Sequence, residues 1–78
     1  MGSEDYEELP ADRAVTLEEA ADHKRRVVAR NEPKKWRWAG NSGDPYQVAA
    51  LANQDPPQVA GEVVFVIQGD LYPSWLFY

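Results

Sequence analysis

The sequence predicts an α+β domain: two helices packed on a small antiparallel sheet of two or three strands that ends in a C-terminal β-hairpin. Three local patterns carry that prediction. Thr16-Leu17-Glu18-Glu19 has the spacing of a capping box at a helix start. Asp44-Pro45 matches the cap and first position of a second helix. Gly69-Asp70 divides two apolar runs, as a two-residue hairpin turn does.

In chain order, residues 1–12 are acidic, with Leu9-Pro10 near their end. Their apolar content is too low to offset the entropy of ordering, so a disordered acidic tail is expected ahead of a single small domain over 13–78. Tyr6 among its acids resembles a short linear docking motif. The first helix is expected from Leu17 to Arg30, with Leu17, Ala20, Ala21, Val27 and Val28 near one stripe that Lys24 interrupts. Acids crowd its first turns and bases its last, as the helix dipole favours, and Asp22 stands four residues before Arg26. Asn31-Glu32-Pro33 ends it, because the residue before a proline avoids helical backbone.

Lys34 to Trp38 reads as a short strand that puts Trp36 and Trp38 on one face. Gly40 to Asp44 reads as a loop. The second helix is expected over Tyr46–Asn53, with Tyr46, Ala49, Ala50 and Leu51 as its apolar side, and Asp55-Pro56-Pro57 stops it. In the hairpin, a tight turn at Gly69-Asp70 sets Gln68 against Leu71. The pairs then continue as Val66–Pro73, Val64–Trp75 and Glu62–Phe77 on one face, with Ile67–Tyr72, Phe65–Ser74 and Val63–Leu76 on the other. Pro73 cannot donate to a ladder, so its strand is expected at an edge or bulged.

Composition bounds the function. The chain has 78 residues, a net charge of −5 and no Cys. Disulfides and thiolate metal sites are therefore excluded. No apolar run is long enough for a membrane span and no leader pattern opens the chain, so a soluble, cytoplasmic protein is expected, without membrane partners. The charge is partitioned: residues 1–23 sum to −7, 24–37 to +6 and 39–78 to −4.

Catalysis finds little support in these residues. His23 is the only His, and it sits between Asp22 and Lys24 on a helix expected to be solvated there. No nucleophile elbow or calcium loop is present. Glu7-Glu8 and Glu18-Glu19 point apart as sequence neighbours. Gly40-Asn41-Ser42-Gly43 before a helix has the form of an anion loop, but it lacks a Lys-Ser/Thr pair and Asp44 would repel phosphate. We expect no catalytic residues, no metal and no cofactor.

Two binding readings remain. The hairpin is apolar on both faces, and two short Ala-rich helices cover only one. The uncovered surface implies a protein partner, either another protein or a second copy, engaged through Phe65, Ile67, Tyr72, Trp75, Phe77 and Tyr78. On this reading the chain is a small non-enzymatic binding protein: an inhibitor, an adaptor or an accessory subunit. The alternative is nucleic-acid binding by Arg25, Arg26, Arg30, Lys34, Lys35, Trp36, Arg37 and Trp38, where cations meet phosphate and indoles stack on bases.

Overall fold

The computed structural model describes residues 8–78. Most of the stretch expected as a disordered tail, Tyr6 included, lies outside the described residues. The rest is held down. Leu9 packs against the core, its carbonyl accepts the Trp38 indole N–H at 3.0 Å, and the Ala11 carbonyl accepts the Asn41 amide at 3.2 Å.

The element order is α1 (Leu17–Val28), β1 (Trp36–Ser42), α2 (Pro45–Ala52), β2 (Val63–Phe65) and β3 (Tyr72–Phe77). The three strands form one antiparallel sheet in the order β1-β3-β2. Two helices on a small sheet with a terminal hairpin is the predicted fold.

Both helix starts form as their sequences dictate. The Thr16 hydroxyl accepts the Glu19 N–H at 3.0 Å, while the Glu19 carboxylate accepts the Thr16 N–H at 2.9 Å. This reciprocal pair satisfies two of the donors that a helix start leaves open. Asp44 caps α2 by accepting the Gln47 N–H at 2.9 Å, and Pro45 occupies the first turn, where its missing N–H costs nothing. The apolar side of α2 differs from expectation. Val48 and Leu51 are buried, whereas Tyr46 is 84% exposed. Tyr46 lies two residues before Val48, about 200° round the helix, so once Val48 points inward Tyr46 points out.

The hairpin register is the predicted one. Val63 pairs with Leu76, Val64 with Trp75 and Phe65 with Ser74, and an isolated bridge joins Gln68 to Leu71 beside the turn. The position of β3 departs from the first of the two expectations for Pro73: the strand is central, not an edge. Pro73 is tolerated because its missing N–H points toward β2, where Val66 still donates to the Pro73 carbonyl at 3.0 Å. That gap shortens the regular ladder of β2 to three residues. On the opposite side, β1 carries an extra residue between Trp38 and Asn41, so that Ala39 and Gly40 together face Ser74. Gly40 sits in this bulge at φ +89, a backbone conformation that suits glycine.

Strand β1 also runs further than the sequence suggested. Gly40, Asn41 and Ser42, expected as loop, belong to the strand. Val15 N–H donates to the Asn41 carbonyl at 2.9 Å, and the Asn41 side chain donates to the Ala11 and Arg13 carbonyls. No open anion cradle forms there, because Val15 and Leu9 pack directly over Gly40.

The core lies between the helices and one face of the sheet. Ala20, Ala21 and Val27 of α1 and Leu51 of α2 meet Ala39, Leu76 and Tyr78, with Val15 beside them. Each large apolar side chain buried here contributes roughly 1.5–3 kcal/mol.

Candidate protein-docking surface

Alternation along the strands sends Trp36, Trp38, Val64, Trp75 and Phe77 to the face away from the core. Trp36 stacks on Phe77 with ring centroids 5.3 Å apart, and Trp38 on Trp75 at 5.2 Å, both tilted. Such tilted aromatic pairs add roughly 0.5–1.5 kcal/mol each beyond area burial. The face nonetheless stays open to solvent: Trp36 is 48% exposed and Val64 46%.

The hairpin tip adds a second apolar region. Phe65 and Tyr72 contact each other at 6.2 Å between ring centroids, and Ile67 beyond them is 73% exposed. These side chains belong to the core-facing side of the sheet, and they project past the reach of the helices. The predicted docking residues therefore divide three ways. Trp75 and Phe77 sit on the outer face, while Phe65, Ile67 and Tyr72 sit at the tip. Tyr78 is the exception: it is only 7% exposed and belongs to the core. Its ring lies under the Lys24 ammonium at 5.6 Å and the Arg37 guanidinium at 5.3 Å. Burial pushes the Tyr78 hydroxyl up to about 12, against the opposing pull of Arg37 and Arg30.

The basic block is dispersed by the fold. Arg25 and Arg26 project to solvent from α1 and both pair with Asp22, at 3.4 and 3.0 Å. Lys34 pairs with Glu62 at 2.9 Å and lies over Phe77; Arg37, mostly buried, donates to the Pro33 carbonyl and stands 3.7 Å from Glu32. The Lys34 hydrogen bond holds the Glu62 carboxyl below its usual range. Arg30, Lys35, Trp36 and Trp38 do come together. With His23 and Val27 they line an open groove of about 520 Å³ between α1 and the outer edge of β1. Glu8 and Glu32 also line it, so the groove carries both signs of charge.

Two polar positions of α1 turn inward. His23, expected on a solvated helix face, is buried. Lys24 is 1% exposed. Its ammonium donates to the Leu51 carbonyl at 3.4 Å, the Gln54 carbonyl at 2.8 Å and the Gln58 side-chain oxygen. It thus ties α1 to the end of α2 and the following segment. Burial pushes its pKa down to about 8, and Asp55 opposes the shift. The clue in the sequence was its place on the apolar stripe of α1.

Among the described residues, no group of three or more His, Asp or Glu is placed to hold a metal ion. No described helix is long and apolar enough to cross a membrane. No family model matches the chain, and no curated protein or solved structure matches it either.

Proposed function

We propose that this chain is a small non-enzymatic binding protein that docks onto a protein partner through its hairpin and the outer face of its sheet. The observation that carries the reading is the uncovered aromatic face continuous with an apolar hairpin tip. Trp36, Val64, Phe65, Val66 and Ile67 are all exposed, in a chain whose helices lie on the other side. Water is a poor neighbour for so much clustered apolar surface, and a partner that covers it gains its burial. Aromatic anchors such as Trp75 and Phe77, already ordered by stacking on Trp38 and Trp36, lose little side-chain freedom on binding. Inhibitor, adaptor and accessory subunit all fit this surface, and the expected setting is the cytoplasm.

The test compares retention of cellular proteins on immobilised wild-type chain, Trp75→Ala and Ile67→Asp, beside the oligomeric state of each. We expect a retained protein or a self-association that both variants lose while far-ultraviolet circular dichroism stays unchanged. Association indifferent to both substitutions, or none at all, overturns the reading.

A second reading, binding of single-stranded nucleic acid, is favoured by one observation. The half-exposed Trp36 lies in the same groove as Arg30 and Lys35. Against it stand the pairing of Arg25, Arg26, Lys34 and Arg37 with nearby acids and the burial of Lys24, which leave few cations to displace counterions from phosphate.

A further inference from the structure

The two edges of the sheet differ in kind. An open strand edge is a template for another chain, and folded proteins blunt it with charges, proline, bulges or a covering segment. The edge of β1 has several of these devices. Ala14 bridges to Asn41, Gly40 forms the bulge, and Lys34, Lys35 and Arg37 flank or occupy its first half.

Among the described residues, the edge of β2 has only its short length and the flanking Glu62, with no bridging segment, proline or bulge. Its ladder bonds to β3 run through Glu62, Val66 and Gln68: Phe77 N–H to the Glu62 carbonyl at 2.9 Å, Val66 N–H to the Pro73 carbonyl at 3.0 Å, and a mutual exchange between Gln68 and Leu71. An antiparallel ladder alternates, so the main-chain groups of Val63, Phe65 and Ile67 point outward. The stretch Val63-Val64-Phe65-Val66-Ile67 contains no charge and no proline, and its last four side chains are exposed.

We propose that β2 pairs antiparallel with β2 of a second copy about a two-fold axis at Phe65, joining two three-stranded sheets into one. This deepens the protein-docking reading and rests on it. The run Val63–Ile67 is uncharged and sets apolar against apolar when paired with its own reverse, which makes a second copy the occupant, and charge selects the register. With Phe65 opposite itself, Val63 meets Ile67, Val64 meets Val66, and Glu62 meets Gln68, so a carboxylate faces an amide. A two-residue slip toward the turn sets Glu62 against Asp70, like against like. A slip the other way sets Glu62 against Val66. The outward groups of Val63, Phe65 and Ile67 then bond to those of Ile67, Phe65 and Val63 of the second copy, and the two outer aromatic faces become continuous.

Sedimentation equilibrium of the wild-type chain over a wide concentration range tests the pairing, and a dimer is expected. Val64→Lys with Val66→Lys sets like charges across the axis, so the mass falls two-fold. Val64→Lys with Val66→Glu sets each Lys opposite the second copy's Glu and restores the dimer. Since the chain has no Cys, Phe65→Cys should yield a disulfide-linked dimer on oxidation, whereas Ile67→Cys, which faces Val63, should not. Circular dichroism confirms that each variant is folded. A monomeric wild type overturns the pairing, as does a dimer that survives the double lysine change. In either case, hairpin-dependent retention of another protein would leave the docking reading standing.

Discussion

Lys24 is the residue most exposed to a decisive test. A buried ammonium is costly even when its protons are all matched by oxygen acceptors. With the folded-state pKa at about 8 and the ordinary value at 10.5, the unfolded chain holds the proton over that interval and the folded chain does not. Stability therefore rises as pH climbs from about 8 to about 10.5. Tyr78 sets the upper limit with the opposite sign. Its hydroxyl keeps its proton to about 12 in the folded chain and loses it near 10 when unfolded, so stability falls between those values. Denaturant midpoints measured across this range should peak near pH 10. Lys24→Met keeps the buried stem and removes the titration, so its midpoint should stay flat from pH 8 to the onset of the Tyr78 decline. A flat wild-type profile would refute the assignment. Thr16→Ala, at the start of the same helix, should cost about 1 kcal/mol through loss of its cap.

At the scale of elements, legibility followed locality. The hairpin register was readable because a tight turn at Gly69-Asp70 leaves two-residue periodicity a single alignment. Capping at Thr16 and Asp44 was readable because each cap closes on a residue three positions away. What escaped was set by distant partners. Gly40-Asn41-Ser42 reads as loop, and it becomes strand because Tyr72 and Pro73 pair with it on one side and Ala14 on the other. The face of α2 escaped because apolar residues surround so short a helix on all sides. The partners of Lys24 lie at positions 51 to 58, too far along the chain for helical spacing to announce them. The β1 bulge can be tested directly. A Cβ at position 40 would lie 2.8 Å from Val15 Cγ2, on backbone already at φ +89. Gly40→Ala should therefore lower stability by roughly 2 kcal/mol, read from the shift in urea midpoint. Gly61→Ala, also at φ +89 but with open space around it, should cost less.

For the whole molecule, the proposed docking face and the mixed-charge groove lie side by side, sharing Trp36 and Trp38. The charge partition visible in the sequence, acidic then basic then acidic, is in large part spent internally. Asp22 takes Arg25 and Arg26, Glu62 takes Lys34, Glu32 lies by Arg37, and Glu19 takes Arg13. Exposed pairs of this kind contribute little to stability. They still lower the positive potential that a polyanion would feel, over distances comparable to the Debye length. Apolar surface has no such internal compensation: Val64, Val66 and Ile67 face water on a sheet whose helices are on the other side or too short to reach them. A short single-stranded oligonucleotide titrated at low salt should accordingly leave the fluorescence of Trp36 and Trp38 unchanged. Quenching that weakens as salt rises would move Arg30, Lys35 and both tryptophans into a nucleic-acid site. The aromatic face would then be a stacking platform for bases, and its exposure would no longer require a protein to cover it.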